Sequence, residues 1–518
     1  MTVLRVIEVA AGLAAFSLAA LRWLRVAQRE HYLPGSVLRF ALRWWGLGPL
    51  PVALFLAGVA ATALGGAVAP LPLVGALVAA AGPLGLGLRG RTSPLAFTRR
   101  LRALAALSAL LALAVTALGL LAGWAGAAIA ACAVALAAPL FVDGAGALLA
   151  PFEERAATRY VRQAERRLGE VRPRVVAITG SYGKTTTKGY VAHLLSGHFQ
   201  VLASPRSYNN RAGLARTVND LLAPGTEVFV AEMGTYGPGE LKALCRWLTP
   251  EVSMITAIGP VHLERFGTLE AILEAKAEIT EPARASVLNL DDPLLAKLAG
   301  RLQREGRKVI GCSATRSDVD VAVLREGEHL SLYRAGVHFG SAPVPPQAAT
   351  MALSNLACAV AAALEVGVAP EELPGRLAGL PVAENRLQAR EGAGGATILD
   401  DTFNSNPAGT ALALGALVAT GAARRVVVTP GMVELGASQR EENTRFGRAA
   451  AEAATDVVVV SRTNRSALLA GIAEARSAGA EVRVEVVRHR DDAVAFVRGA
   501  LGEGDAVLYE NDLPDHYP

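Results

Sequence analysis

The first 150 residues set the folding problem. Four windows, Val3 to Leu24, Gly48 to Val68, Leu71 to Leu88 and Ala103 to Trp124, are predominantly apolar. Each runs for roughly 18 or more residues, the length a helix needs to cross a hydrocarbon core of about 30 Å. A fifth window, Ala127 to Val142, is shorter. In lipid every backbone polar group must be bonded within its own segment, so these windows predict a multi-span helical domain over 1–150. Arg22, Arg25, Arg29, Arg39 and Arg43 crowd the first connection, and Arg89, Arg91, Arg99, Arg100 and Arg102 the third, whereas the second and fourth carry no charge. An arginine excess marks the cytoplasmic side. Five spans therefore place the N-terminus outside and everything after Asp143 in the cytoplasm of a multi-pass cell (inner) membrane protein. Asp143 is the one acid expected to be buried in the segment. Intramembrane acids usually mark transport paths, so the pattern speaks against a transporter. A cleaved signal peptide is not expected, because four apolar windows follow the first without a clear A-x-A-like site.

After the membrane segment the composition changes. Residues 151–172 are charged and helical in pattern, a connector. Next come the runs VVAIT, EVFVAEM, VSMITAI, ASVLNL and KVIGC, separated by helical stretches, then a small antiparallel patch near 318–345 and a helix over 349–367. A second alternating set, TILDD, RVVVTP, DVVVVS, EVRVEVV and AVLYE, begins at Thr397. Such alternation predicts two α/β units with parallel sheets, a central domain over 173–380 and a C-terminal one over 381–518.

Between the strand VVAIT and a helix stands TGSYGKTTTK, 179–188. Strand, glycine turn and helix N-terminus together make a phosphate cradle: backbone N–H groups face the anion and the helix dipole favours it. Gly180, Ser181, Gly183, Lys184, Thr185 and Thr186 are the expected ATP-binding residues, with Lys184 at the β/γ phosphates and the Thr185 hydroxyl on Mg²⁺. Lysine occurs only six times among 51 basic residues. Arginine cannot replace a compact ammonium over phosphate or an amine that can be deprotonated. Lys184 and Lys276 fall in chemically loaded surroundings, and the other lysines read as surface residues. The net charge of +5 includes the membrane-flanking arginines, and no basic run with interleaved aromatics follows, so nucleic acid is not an expected partner. Cys132, Cys245, Cys312 and Cys358 lack CxxC spacing, which supports neither a disulfide framework nor a zinc site.

Read in order, ITGSYGKTTTK, SYNNRAG, AEMGTYGPGE, GPVHLERFGTLEAILEAKAEI, LNLDD, ENRLQ, LDDTFNSNP and MVELG resemble the Mur ligase family, and within it the branch that adds D-alanyl-D-alanine. The resemblance covers roughly 173–500. It implies a central ATPase domain, a C-terminal Rossmann-like domain and an ATP-dependent amide ligation through an acyl phosphate. It implies a catalytic set of Lys184, His262 and Lys276, and magnesium ligation by Thr185, Glu232, His262 and, if carbamylated, Lys276. It further implies nucleotide contacts from Asn355, Arg386, Asp400 and Asp401, and substrate contacts from Asn209, Asn210, Asn404 and Asn406. The implied cofactors are ATP and Mg²⁺. The implied partners are a peptide carboxylate, UDP-linked or lipid-linked, and an amino acid or dipeptide, in peptidoglycan precursor synthesis alongside cell-wall enzymes and membrane lipid.

Each residue alone has a plainer reading. His262 is by default a hydrogen-bonded strand-end histidine, Glu232 a charge at a helix N-terminus, and Lys276 a solvated partner of Glu274 or Glu278. Three features depart from the family pattern, the first being that the membrane segment stands where soluble relatives carry an N-terminal domain that holds the UDP-sugar peptide. Phe403 stands where tyrosine is common, and the chain ends in YENDLPDHYP in place of a basic, glycine-containing ending. The alternatives are a poly-γ-glutamate synthase-like ligase and an ATPase coupled to a membrane transporter.

Overall fold

The computed structural model describes the chain except Met1, 89–94, 206–207, 346–350, 382–386, 393, 403–404, 514–516 and Pro518. It divides into two compact units, Met1–Ala156 with Leu513–Pro518, and Ala157–Asp512.

The first unit is helical: α1 Thr2–Arg29, α2 Ser36–Trp45, α3 Pro49–Ala63, α4 Pro72–Ala81, α5 Arg99–Gly119, α6 Gly123–Leu136 and the first part of α7 Ala138–Val171, whose residues from Ala157 belong to the second unit. Among the described residues, three helical runs are long and apolar enough to cross a membrane: Thr2–Arg29, Pro49–Gly66 and Arg99–Leu136. The last of these turns back on itself. A Cβ on Gly119 would lie 2.7 Å from the Gly126 carbonyl oxygen and 2.9 Å from the Ala130 Cβ, which is impossible along a straight helix. Helices α5 and α6 are thus a hairpin closed at Gly123 (φ 77°). Small residues also let α1 approach α6, where a Cβ on Gly12 would meet the Ala131 backbone at 2.7 Å.

Three membrane expectations change. The window Leu71 to Leu88 yields only the ten-residue α4. At 1.5 Å per residue α4 spans about 15 Å, half a hydrocarbon core. Pro70 and Pro72 bracket its start, and Pro83, which cannot continue an intrahelical hydrogen-bond ladder, follows its end. The fifth window is split between α6 and α7 at Ala137. The first connection holds α2, whose Phe40 and Trp44 are buried while Arg39 is exposed. Asp143, expected as the segment's one buried acid, is only half-buried, whereas Glu8 on α1, bonded to Arg5 at 2.8 Å, and Glu30 are buried. Leu513 and Tyr517 also belong to this unit, and Tyr517 packs edge-on against Phe40 at 5.1 Å.

The connector expected over 151–172 is the continuation of α7, which ends at Val171. The second unit contains β1 Arg174–Thr179, β2 Val201–Ala203, β3 Val228–Glu232, β4 Val252–Ile255, β5 Ala285–Asn289, β6 Val309–Ser313, β7 Val321–Glu326, β8 His329–Arg334 and β9 Val337–Pro343. They form one sheet in the order β2-β3-β1-β4-β5-β6-β7-β8-β9, parallel up to β7, with β7 to β9 the expected antiparallel patch. Its central strands are buried on both faces, which is why they read as unbroken apolar runs. One core lies under the helices Lys184–Leu195 and Leu353–Val366, the other under Arg211–Leu221 and Pro293–Arg304. Strand β1 sits between β3 and β4, the point of an open sheet where loops diverge and ligands bind.

The C-terminal sheet runs β10-β11-β15-β12-β13-β14, from β10 Gln388–Glu391, β11 Thr397–Asp401, β12 Arg425–Thr429, β13 Asp456–Val460, β14 Arg483–Val487 and β15 Ala506–Glu510. It is parallel except for β10. The sequence reading missed only β2 and β10. Both are short edge strands, and the three-residue β2 is too brief for periodicity to register.

Candidate active site

The phosphate loop leaves β1 at Gly180 (φ 153°) and enters its helix at Gly183 (φ 78°). These are conformations that favour glycine. Gly180 passes so close to Thr256 that a Cβ would lie 2.0 Å from the hydroxyl, and one on Gly183 would lie 2.4 Å from Asn355 Oδ1. Asn355 thus backs the loop. Ser181 ties the loop to the end of β4, its hydroxyl donating to Gly259 O at 3.1 Å and accepting from Gly259 N at 3.0 Å.

Lys184 Nζ donates to Gly180 O at 2.6 Å, so its ammonium is curled over the loop where phosphate oxygens would compete for it. The Thr185 hydroxyl donates to Glu232 Oε2 at 2.9 Å, and Asn209 Nδ2 donates to Oε1 at 3.0 Å. Lys188 Nζ reaches the same Oε2 at 3.0 Å, with both side chains almost wholly buried. The expectation that Lys188 is a surface residue therefore fails: its position one helical turn after Lys184 puts it over β3.

Lys276 is not a solvated partner of its neighbours either. Glu274 pairs with Arg301 at 2.6 Å, and Glu278 accepts from the Gly239 and Lys242 backbone at 2.6 and 3.0 Å. Lys276 itself is 4% exposed. Burial, and then the charge of Lys184, hold its pKa well below the usual lysine value, which favours an uncharged amine.

His262 lies at positive φ (59°) just before the short helix Leu263–Phe266. Its Nδ1 contacts Glu434, in the MVELG segment of the C-terminal sheet's loops. The described hydrogen bonds do not join it to Thr185 or Glu232. Glu434 had been quoted within a motif without a role. Its contact depends on the fold bringing together residues 172 positions apart, which no local pattern encodes.

Of the three expected substrate asparagines among the described residues, Asn209 bonds Glu232 and the other two act as helix caps. Asn210 Oδ1 accepts from Gly213 N and Asn406 Oδ1 from Gly409 N, each at 2.9 Å. Asp400 pairs with Arg390. Asp401 faces Glu510 in register on the adjacent strand. Burial, followed by the Asp401 charge, pushes the Glu510 carboxyl well above the usual carboxylate range, while its Oε1 accepts from Ser405 at 2.6 Å. Arg386, Phe403 and Asn404 lie outside the described residues.

Two family descriptions match this chain: Mur ligase middle domain over residues 178–363, and Mur ligase, glutamate ligase domain over 385–509. A UDP-N-acetylmuramoyl-tripeptide--D-alanyl-D-alanine ligase of Mycobacterium tuberculosis is 32% identical over 361 residues, covering 64% of this chain and 69% of that one. The chain belongs to the Mur ligase family. An Escherichia coli ligase of the same name is 29% identical over 296 residues, 56% of this chain and 65% of that one. Among solved structures, MurF of Acinetobacter baumannii superposes with a TM-score of 0.59 at 23% identity, covering 69% of this chain and 77% of its own. The MurF ligase of Thermotoga maritima in complex with ADP gives 0.57 at 24%, covering 69% and 80%. The Mur ligase fold of the second unit thus agrees with its sequence, and the protein is a MurF-like ATP-dependent ligase.

The donor set fits magnesium. The Thr185 hydroxyl and Glu232 carboxylate are hard oxygens, and Mg²⁺ is usually held by one or two carboxylates together with substrate phosphates and water. Among the described residues no group of three or more His, Cys, Asp or Glu could by itself hold an ion, which is compatible with a site completed by nucleotide.

Proposed function

We propose that this chain is a membrane-anchored ligase that joins D-alanyl-D-alanine, or a similar amino acid or dipeptide, to the peptide carboxylate of a cell-wall precursor at the cytoplasmic face of the inner membrane. The observation that carries it is the convergence of Thr185, Lys188 and Asn209 on Glu232 beside the phosphate loop. Names of the relatives supply the substrate class, and three apolar helical runs support the anchor.

The reaction places distinct demands on each residue. A carboxylate oxygen attacks the γ-phosphorus, the bond to ADP breaks, and the acyl phosphate is then attacked by the amine, releasing phosphate and a proton. Lys184 and the backbone N–H groups of the loop hold the phosphates. Bound Mg²⁺ would neutralise charge gathering on the transferred phosphoryl group. Thr185, Glu232 and His262 are the residues that would hold it. Lys276, whose burial disfavours the charged ammonium, is suited to react with CO₂ and present a carbamate to the same region. Asn355 packs against Gly183 of the loop, and Asp400 and Asp401 stand at the end of β11 in the ligase domain.

An anchor suits an acceptor that is lipid-linked or made at the membrane. Detergent-purified protein supplied with ATP, Mg²⁺, D-alanyl-D-alanine and either the UDP-muramoyl tripeptide or its lipid-linked counterpart tests this. Product mass should rise by the dipeptide with one of the two acceptors, together with ADP. ADP release indifferent to both acceptors would contradict the proposal and favour a transport-coupled ATPase.

A further inference from the structure

The contact between His262 and Glu434 joins the loop after β4 to the loop after β12, so it links the central domain to the glutamate ligase domain within one compact unit. Both residues have positive φ, 59° and 64°, although neither is glycine. Such a backbone is strained for a non-glycine residue and persists only where its surroundings enforce it. Here the surroundings do. Glu264 N donates to Glu434 O at 3.4 Å, and Gly436 passes so near the same turn that a Cβ would lie 3.1 Å from Glu264 N. The Tyr236 ring lies 4.8 Å from the His262 ring, with the Arg265 guanidinium 4.9 Å from Tyr236. The imidazole is therefore gripped at one edge and on one face.

We propose that Glu434 is a positioning residue for the metal site. Its carboxylate accepts the His262 Nδ1 proton, fixing the tautomer whose Nε2 carries the lone pair a cation needs. A carboxylate behind a ligating histidine sets ring orientation and raises ligand basicity. Because Glu434 belongs to the ligase domain, His262 is made ready for metal only while the two domains touch. By linkage, metal held by His262 must then favour that contact by the same factor by which the contact favours metal. The proposal rests on the reading of His262 as a metal ligand.

The test uses Mn²⁺ as the probe, titrated by electron paramagnetic resonance into the detergent-purified full chain with a non-hydrolysable ATP analogue. Glu434→Ala should weaken Mn²⁺ binding by about 10–100-fold, the usual effect of losing such a partner. Glu434→Gln, whose amide oxygen still accepts from Nδ1, should lose less. Binding of the analogue in EDTA should be unchanged in both, which also shows that the variants fold. His262→Ala should weaken Mn²⁺ at least as much as Glu434→Ala, and the double variant no further than His262→Ala alone. Wild-type Mn²⁺ affinity in Glu434→Ala, with His262→Ala weakened, would overturn the role of Glu434 while leaving His262 as a ligand. Unchanged affinity in His262→Ala would overturn the ligand reading itself.

Discussion

The Lys188 ammonium lies 3.0 Å from Glu232 Oε2, the oxygen that also accepts the Thr185 hydroxyl. A buried cation thus occupies a lone pair that a divalent ion would want. Breaking such a pair from one side costs about 3–5 kcal/mol. Lys188→Met should therefore lower the apparent melting temperature, and millimolar Mg²⁺ should restore more of it in the variant than it adds to wild type. Equal Mg²⁺ shifts in the two proteins would count against Glu232 as a metal residue.

Gly183 tests the loop's geometry. Alanine there meets Asn355 and takes on a left-handed backbone worth about 1–2 kcal/mol of strain. Since about 1.4 kcal/mol is tenfold in affinity, Gly183→Ala should weaken ATP binding roughly tenfold or more, as read by calorimetry. Gly300→Ala, which meets nothing within 4 Å, should bind normally.

Lys276 can form a carbamate only as a free amine, and its burial favours that form. Activity should fall in CO₂-depleted buffer and recover on adding bicarbonate. Lys276→Ala should lose most activity, regain part with added acetate, and show no response to bicarbonate. A bicarbonate-independent wild type would remove the carbamate from the account.

Glu510 carries a pH signature. Unfolded glutamate loses its proton near pH 4.3, whereas burial and Asp401 keep the folded residue protonated to a higher pH. Its contribution to stability is full below about pH 4.3 and is lost as pH rises towards the folded pKa, at about 1.4 kcal/mol per unit. Glu510→Gln should match wild type in acid and melt higher at pH 8. A difference that does not grow with pH would refute a Glu510 carboxyl raised by burial and Asp401.

Much of this was legible in the chain. Ten of the strands announced themselves as β-branched runs, and the phosphate loop by its place between a strand and a helix. Membrane helices were legible as apolar length, but not where prolines shorten α4 or where Gly123 folds α5 onto α6. Lys188 and Glu434 were out of reach because their partners are set by the sheet order and by a contact between domains. Lys276 was singled out by composition, yet its burial needed the packed helix Leu269–Ala277.

The central claim is an acyl phosphate, and oxygen tracing tests it most directly. With the acceptor carboxylate labelled in ¹⁸O, carboxylate attack on the γ-phosphorus followed by amine attack on the acyl carbon should leave one labelled oxygen in each phosphate released, as read by mass spectrometry. Unlabelled phosphate would mean that water attacks ATP directly, and would contradict the ligase account.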